Sequence, residues 1–484
     1  MKDKRKTQRE IISEKIKREY FILTQKGEEY SINLDNKEEV ERVLSKVGSQ
    51  ELKTYVTNIE LGMMPKKESP SIKEMQQQEL VGYAPEADSG HFKFYPKGNL
   101  IFELIKDWCD EIAIKRLNCM KIETPVMYNW ADPEIKEQGG SFHERHYTVK
   151  CPDEPEKELV MRFAGDFGLF KIMKNAKFSY KNLPLRIYEF SKSFRYEQAG
   201  ELSGLKRLRA FHMPDIHSFT ADVESGWEEY KELYRNYDDL TKGLGIKYAI
   251  AFRIVKDFYE KYKEQIIEML KYSGMPAFIE TLSEMKHYWA VKHEFQGLDS
   301  VGGSTQLATV QLDVKDSETY GITYVDKDGK NKGCIIVHSS IGSIERLLYC
   351  ILENAFTQSK KMLPYWLCPT QLRIAPLSEK YLEESINLAK RFNSYGIRTD
   401  VDDRNETIQK KVLNAENEWI RYLIVYGEKE MKEKQYSVRE RESGKIIKFS
   451  EEELKRKLLE QQQGMPYRDL PLPLCISKRP IFYG

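Results

Sequence analysis

Residues 194–217, FRYEQAGELSGLKRLRAFHMPDIH, are the most informative segment of the chain. The segment opens as the end of a strand, and two glycines and a serine in residues 199–204 interrupt any periodic pattern. Apolar and basic residues then alternate from Leu205 to Phe211, which predicts a returning antiparallel strand. The segment therefore predicts a β-hairpin closed by a turn-rich loop.

The charged residues of this hairpin are the first functional signal. They are Arg195, Glu197, Arg207 and Arg209, and they are accompanied by Phe211. Guanidinium groups bind phosphate oxygens in pairs, a carboxylate accepts a hydrogen bond from an adenine amino group, and an aromatic ring stacks on the base. This set favours a nucleoside triphosphate site. The alternative is the solvated face of an ordinary antiparallel sheet.

Length and composition exclude several classes of protein. The chain has 484 residues, enough for about two or three domains, and its net charge of +1 gives no bulk argument for a nucleic-acid partner. It has no long apolar run and its N-terminus is charged, so we expect neither a membrane span nor a secretory signal. Seven scattered cysteines without a CxxC pair predict a reducing, cytoplasmic location and no cysteine-only zinc site.

The hairpin resembles motif 2 of the class II aminoacyl-tRNA synthetases, and its Glu-Leu-Ser-Gly-Leu run and Pro-Asp-x-His ending resemble the archaeal threonyl-tRNA synthetases. Two further segments match in order. A predicted helix over Leu100–Arg116 and a predicted strand over Met120–Met127 resemble motif 1, which implies a homodimer interface. Gly342–Arg346, before a predicted helix over Leu347–Phe356, resembles motif 3.

The resemblance implies the fold class and the domain order. We expect a small N-terminal region over residues 1–75 and an α+β catalytic domain with a mainly antiparallel class II synthetase sheet over residues 76–364. A C-terminal α/β anticodon-binding domain is expected over residues 365–484. The strand–helix alternation that begins near Thr370 agrees with the last assignment.

The N-terminal region is short compared with that of many relatives. Its patterns predict a helix over Lys4–Lys17, a hairpin over Tyr20–Leu34, a helix over Glu38–Val47 and a linker over Pro65–Pro70. Many relatives carry an editing domain here that hydrolyses mischarged seryl-tRNA. We therefore expect no editing in cis, and a separate editing protein acting in trans if serine is removed at all.

The activity that the resemblance implies is ligation of threonine to tRNA(Thr). Threonine and ATP, with Mg²⁺, form threonyl-adenylate, and the threonyl group then esterifies the 3′-terminal adenosine of the tRNA. The residues carried over to ATP binding are Arg195, Glu197, Arg207, Phe211, Gln306 and Arg346, of which Arg195 and Arg346 are the catalytic pair. Those carried over to substrate binding are Asp215, Gln311 and Lys292. Alternation in a strand over residues 305–314 puts Thr309, Gln311 and Asp313 on one face.

The resemblance also implies a zinc site that distinguishes threonine from valine. The family holds Zn²⁺ with one cysteine and two histidines, and His217 and His338 match the histidines. Asp166 stands at the cysteine position, so this chain departs from the family pattern. An aspartate oxygen also ligates zinc, and it is a harder ligand than thiolate. We therefore expect a metal site with an altered ligand set.

Two further sets of expectations concern RNA. Asn405, Glu430 and Arg439 match the family's anticodon readers, and side chains of these types recognise the edges of splayed bases.

The competing interpretation of the whole chain is a non-catalytic synthetase-like paralogue that binds tRNA or another RNA. Such paralogues usually lose an arginine of motif 2 or motif 3, whereas Arg195, Arg207 and Arg346 are all present. A synthetase for another small amino acid is disfavoured by the two histidines.

Overall fold

We describe the protein from a computed structural model, in which residues 16–65, 67–140 and 145–483 are described. The chain divides into two compact units. The first consists of residues 1–68 and 110–350, and the second of residues 69–109 and 351–484. No helix in the described part of the chain is long and apolar enough to cross a membrane. The predicted domain boundaries stay predictions.

The strands and helices are numbered in chain order. The strands are β1 (Arg18–Leu23), β2 (Glu29–Ile32), β3 (Val81–Tyr83), β4 (Phe92–Phe94), β5 (Met120–Ile122), β6 (Met127–Asn129), β7 (Thr148–Cys151), β8 (Glu154–Met161), β9 (Leu185–Phe194), β10 (Ala210–Thr220), β11 (Tyr248–Val255), β12 (Ala277–Leu282), β13 (Trp289–Leu298), β14 (Ser304–Asp313), β15 (Thr323–Val325), β16 (Asn331–Gly333), β17 (Ile335–Ser340), β18 (Leu372–Pro376), β19 (Thr399–Val401), β20 (Tyr422–Tyr426), β21 (Gln435–Glu440) and β22 (Ile446–Ser450). The helices are α1 (Lys37–Val47), α2 (Gln50–Tyr55), α3 (Ser71–Gln77), α4 (Pro96–Asp110), α5 (Pro133–Gly140), α6 (Asp166–Asn175), α7 (Val223–Gly243), α8 (Lys256–Ser273), α9 (Asp316–Thr319), α10 (Ile344–Phe356), α11 (Leu382–Ser394), α12 (Ile408–Asn417), α13 (Glu428–Glu433) and α14 (Glu451–Glu460).

A ten-stranded sheet is the frame of the first unit. Its strand order is β2-β1-β12-β11-β13-β14-β17-β10-β9-β5. The pairs β11–β12 and β5–β9 are parallel, and the other neighbouring pairs are antiparallel. This is the mainly antiparallel sheet that the sequence predicts for the catalytic region. Helix α7 packs against β10, β14 and β17, the strands that carry most of the predicted site.

The N-terminal hairpin extends this sheet. The predicted hairpin is confirmed as β1 and β2, and β1 pairs with β12, about 260 residues further along the chain. Ile22 and Leu44 are buried with Phe278 in one apolar cluster beneath the added strands. The predicted helix over Glu38–Val47 is confirmed as α1. The helix predicted over Lys4–Lys17 lies outside the described residues except for its last two positions, and so does Lys66 of the predicted linker.

Two strand predictions are wrong in their bounds. The second hairpin strand begins at Ala210 rather than Leu205, because Ser203 and Arg207 form an isolated bridge and the amide of Lys206 donates to the Ser203 carbonyl over 2.9 Å. The strand predicted over Met120–Met127 consists of β5 and β6, which belong to different sheets. Pro125 between them has no N–H to donate to a sheet ladder.

A five-stranded mixed sheet organises the C-terminal part of the second unit. Its order is β19-β18-β20-β21-β22, with β18 parallel to β19 and β20 and with β21 and β22 antiparallel. Leu372, Phe392, Val438 and Leu454 belong to its core, which strands and helices share. The predicted α/β architecture of the C-terminal region is therefore confirmed.

A histidine is buried in the core of the first unit. His293 on β13 has no exposed surface, and its Nδ1 lies 2.9 Å from the hydroxyl of Tyr230. The rings of Tyr234 and Phe295 lie within about 5 Å of its ring. Burial, and then the charge of Lys292, lower the pKa of His293 from 6.5 to about 3. The folded state therefore holds a neutral imidazole where the unfolded chain would take up a proton.

This difference predicts a loss of stability in acid. As pH falls from 7 to 5, the unfolded chain binds a proton on His293 that the folded chain does not, which destabilises the fold by about 2 kcal/mol. We expect His293→Gln to be less stable than the wild type at pH 7. Between pH 7 and pH 5, however, its free energy of unfolding should fall by about 2 kcal/mol less than that of the wild type. Urea unfolding at both pH values measures the difference. Equal losses for the two proteins would contradict the prediction.

Candidate active site

Three neighbouring strands present polar side chains in rows across the main sheet. In the antiparallel register His217 of β10 pairs with His338 of β17, and His338 pairs with Gln311 of β14. In the adjoining row Asp215 pairs with Ser340. Side chains two residues apart on a strand share a face, so both rows project from the same side of the sheet.

These rows line a cavity of about 330 Å³. Strand β10 contributes alternate residues from Phe211 to His217 to its wall, and β17 and β14 contribute His338 and Gln311. The predicted site residues that line it are Asp166, Arg195, Glu197, Arg207, Phe211, Asp215, His217, Gln306, Gln311, His338 and Arg346. Lys292 is not among the described residues that line the cavity, and its ammonium group lies 2.7 Å from Glu294.

Two arginines bring positive charge into the cavity. Arg195 donates from Nε to the carbonyl of Phe163 over 3.0 Å, and its guanidinium carbon lies 5.2 Å from the centre of the Phe211 ring. Arg346 donates from Nε to the Lys206 carbonyl over 3.0 Å and from Nη1 to the Gln306 carbonyl over 3.2 Å. Burial, followed by the charge of Arg195, lowers the pKa of Arg346 to about 10. An anionic ligand would relieve this repulsion and favour the charged forms.

Glu197 is held in place by two other arginines. Its Oε2 accepts hydrogen bonds from Arg207 Nη2 and Arg145 Nη1, both over 2.9 Å. The carboxylate is largely buried, so these charge-assisted bonds fix its orientation at the cavity wall. Sequence reasoning missed Arg145, because no motif or periodic pattern marks that position.

Three residues of this cavity can hold a metal ion. Asp166, His217 and His338 each offer a ligand atom, and these atoms lie within 4.8 Å of one another. Asp166 Oδ1 and His217 Nε2 are 3.0 Å apart. One carboxylate oxygen and two imidazole nitrogens are a donor set that zinc accepts. The three residues therefore fit the metal site that the sequence predicts.

A second group overlaps with the first. Asp313, Asp316 and His338 also offer three ligand atoms within 4.8 Å, and His338 Nε2 lies 2.7 Å from Asp313 Oδ2. Burial disfavours the charged form of His338, but the hydrogen bond to Asp313 and the negative charges of Asp313, Asp166 and Asp316 together raise the pKa of His338. Burial lowers the pKa of His217, which favours the neutral imidazole that ligates metals.

Asp215 is a cavity carboxylate whose charged form is disfavoured in the free protein. Burial, and then the negative charge of Asp166, raise the pKa of Asp215 to about 7. The Ser191 hydroxyl donates to Asp215 Oδ2 over 3.0 Å. A cationic group bound near Asp166 and Asp215 would favour their ionised forms. The cavity therefore suits a ligand that is anionic near the arginines and cationic near the aspartates.

Tyr288 is a second cavity residue that sequence reasoning missed. Its hydroxyl donates to Gln311 Oε1 over 2.8 Å, and its ring centre lies 5.2 Å from that of His338. The only signal in the sequence was its position at the predicted start of a strand. Tyr288 therefore lies between His338, a candidate metal ligand, and Gln311 of β14.

The remaining predicted readers lie in the second unit. Asn405 is exposed in the loop before α12. Glu430 is buried in α13, and its Oε2 accepts a hydrogen bond from the Gly427 amide over 3.1 Å. Arg439 lies on β21, opposite Leu423 of β20.

Comparison with known proteins agrees with this geometry. Residues 147–355 match the family "tRNA synthetase class II core domain (G, H, P, S and T)", and residues 371–461 match the "Anticodon binding domain". The threonine–tRNA ligase of Thermococcus gammatolerans is 38% identical over 99% of this chain and 77% of its own length. That of Pyrococcus horikoshii is 39% identical over 96% of this chain and 74% of its own.

The chain belongs to the threonine–tRNA ligases. The ligase of Nitrosopumilus maritimus is 39% identical over 85% of this chain and 67% of its own length. A crystal structure described as the RNA binding domain of threonyl-tRNA synthetase from Cryptosporidium parvum has a TM-score of 0.71 at 21% identity. The match covers 82% of this chain and 98% of the Cryptosporidium chain, and at this identity it supports the fold alone.

Membership of the threonine–tRNA ligases confirms the predicted activity. The chain activates threonine with ATP and Mg²⁺ and attaches it to tRNA. The predicted class II catalytic core and anticodon-binding domain are confirmed with it. The alternative of a non-catalytic paralogue is not favoured.

Proposed function

We propose that the cavity lined by β10, β14 and β17 is where this ligase forms threonyl-adenylate. One observation carries the proposal: every residue predicted for ATP, substrate or metal binding lines this cavity, except Lys292. Residues that are up to about 180 positions apart in sequence converge on it. The buried arginines and aspartates of the cavity match the charges of ATP and of the threonine ammonium group.

The arginines act by position and charge. Arg195 binds the α-phosphate and the threonine carboxylate, Arg207 and Arg346 bind the γ-phosphate side, and Phe211 stacks on the adenine. A carboxylate oxygen of threonine attacks the α-phosphorus, the bond to the bridging oxygen breaks, and pyrophosphate leaves. No nucleophilic side chain is required, because preorganised guanidinium groups stabilise the charge of the transition state.

Asp215 and Gln311 bind threonine beside the metal site, and Lys292 is assigned the same role on resemblance alone. Asp166, His217 and His338 would hold Zn²⁺. When bound, Zn²⁺ offers coordination positions to the amino and hydroxyl groups of threonine, and valine has no hydroxyl to fill one. A buried site built around that hydroxyl rejects valine, because a polar group would be left without a partner.

The proposed RNA contacts lie in the second unit. Asn405, Glu430 and Arg439 are assigned to the anticodon of tRNA(Thr), and the exposed amide of Asn405 suits contact with an unstacked base. Glu430 is buried and caps α13 in the free protein, so its contact with RNA requires a change of rotamer or partner.

The remaining proposals concern assembly and location. We assign a homodimer interface to the edge near β5, where Met120, Val126 and Met127 are each more than 40% exposed. A cytoplasmic location is consistent with seven free cysteines. A separate editing protein acting in trans stays a prediction.

Replacing Arg346 tests the ATP site. We expect Arg346→Met to lower kcat/KM for ATP by about 100-fold in threonine-dependent ATP–pyrophosphate exchange, because a buried cation that meets the triphosphate is lost. Arg235→Met is the matched control, since Arg235 lies on α7 and pairs with Glu268 outside the cavity. Wild-type exchange by Arg346→Met, or no exchange by the wild type with threonine, would contradict the proposal.

Replacing Asp166 tests the metal site. Asp166→Ala removes one of three ligands, so we expect zinc to bind at least about 100-fold more weakly. Asp166→Cys supplies a softer ligand and should bind zinc at least as tightly as the wild type. Competition with a chromophoric chelator measures both, with Asp328→Ala as the control for loss of an exposed carboxylate. Unchanged zinc affinity in Asp166→Ala would exclude this ligand set.

A further inference from the structure

A buried carboxylate outside the cavity connects the two segments that carry the ATP arginines. Asp299, between β13 and β14, is 8% exposed. Its Oδ2 accepts hydrogen bonds from Lys206 Nζ and from the Tyr349 hydroxyl, each over 3.0 Å. Its Oδ1 accepts from the amides of Val301, over 3.2 Å, and Gly303, over 2.5 Å. One side chain therefore bonds the hairpin loop, helix α10 and its own turn.

Both side-chain partners of Asp299 adjoin an arginine of the cavity. Lys206 precedes Arg207, and its carbonyl accepts the hydrogen bond from Arg346 Nε. Tyr349 lies three residues after Arg346 on α10, and therefore on a neighbouring part of the helix surface. These contacts form a closed ring from Asp299 through Lys206 and Arg346 to Tyr349. The ring fixes the position of the loop relative to the helix.

The ion pair of this ring is well protected from water. The Asp299 and Lys206 side chains are 2% and 22% exposed. Removing Lys206 leaves the Asp299 carboxylate bonded to Tyr349 and two amides but without this cation, and removing the Asp299 charge leaves the Lys206 ammonium without this carboxylate. Loss of the pair would therefore release the loop that carries Arg207.

The N-terminal region supports the same turn. Asn58 donates from Nδ2 to the Gly302 carbonyl over 2.7 Å. Gly302 has a φ of +86°, which favours glycine. A Cβ at Gly303 would lie 2.4 Å from Asp299 Oδ2 and 2.8 Å from Met64 Cε. The turn is thus enclosed by Asp299 on one side and by residues 58–64 on the other.

We propose that Asp299 is a positioning residue for ATP, acting through Lys206 and Tyr349 to set the spacing of Arg207 and Arg346. Asn58 holds the turn that presents Asp299, which gives the N-terminal region a part in nucleotide binding. The inference rests on the ATP-binding roles proposed for Arg207 and Arg346.

Exchange kinetics of Asp299→Asn, Lys206→Met and the double variant test the inference. The amide oxygen of Asp299→Asn still accepts from the turn amides, and Lys206→Met leaves the turn unchanged. Each single variant should raise KM for ATP about tenfold, the effect of losing a charged hydrogen bond, with KM for threonine unchanged. Because both act on one pair, the double variant should be no worse than either single variant. Lys206→Arg keeps the pair and should restore the wild-type KM.

Asp238→Asn is the matched control. Asp238 is a buried carboxylate on α7 that also contacts a lysine, Lys242 at 2.7 Å, and the hydroxyl of Tyr248. The Asp238→Asn variant should leave KM for ATP unchanged. Asn58→Ala should raise KM for ATP in the same direction as Asp299→Asn but by less.

Three results would overturn the inference: an unchanged KM for ATP in both single variants, additive effects in the double variant, or an equal rise in KM for threonine. If Asp299→Asn does not fold, the KM for ATP of Lys206→Met tests the inference alone. If Arg346→Met abolishes exchange while these variants behave as wild type, only this inference fails. If Arg346→Met is also active, the proposed function fails with it.

Discussion

The antiparallel register of β14, β17 and β10 is the constraint on which the site depends. It places Gln311, His338 and His217 in one row across three strands. A slip of one residue in β10 would turn His217 and Asp215 to the opposite face. Ile216 on that opposite face is fully buried, and α7 packs against β10. Burial of Ile216 therefore favours this register, and the register places the polar rows.

The second organising feature is the set of buried charges of both signs that line one cavity. Burial, and then the charge of Arg195, lower the pKa of Arg346. Burial, and then the charge of Asp166, raise the pKa of Asp215, although Arg195 interacts with both aspartates. Ligand groups of opposite charge beside Arg346 and beside Asp215 would favour the charged forms of these two side chains. A cavity of this kind is prepared for a substrate pair that carries both charges.

Much of the site followed from the sequence because strand alternation is a local property. The alternation of residues 305–314 predicts that Thr309 and Gln311 share a face, and the register of β14 agrees. The hairpin was predicted, but its second strand was placed too early, because the turn at Ser203–Arg207 is closed by backbone hydrogen bonds that no residue pattern reveals. The family resemblance supplied the roles, which composition and periodicity do not contain.

The residues that were missed depend on contacts between distant parts of the chain. Arg145 and Asp299 become important only when the fold brings them to Glu197 and Lys206. The pairing of β1 with β12 could not be predicted either, because the residue pattern of a strand does not determine which other strand it pairs with. Tyr288 lay at a predicted strand end with nothing to distinguish it from a core tyrosine.

The central claim is that the row formed by His217 and His338, completed by Asp166, holds the cation beside the adenylation site. Anomalous X-ray scattering at the zinc edge, from crystals grown with threonine and zinc, measures this directly. We predict one peak within bonding distance of Asp166, His217 and His338, with the threonine hydroxyl and amino group facing it. A peak bound by Asp313 and Asp316 instead, or threonine bound in the cavity with no zinc beside it, would contradict the account.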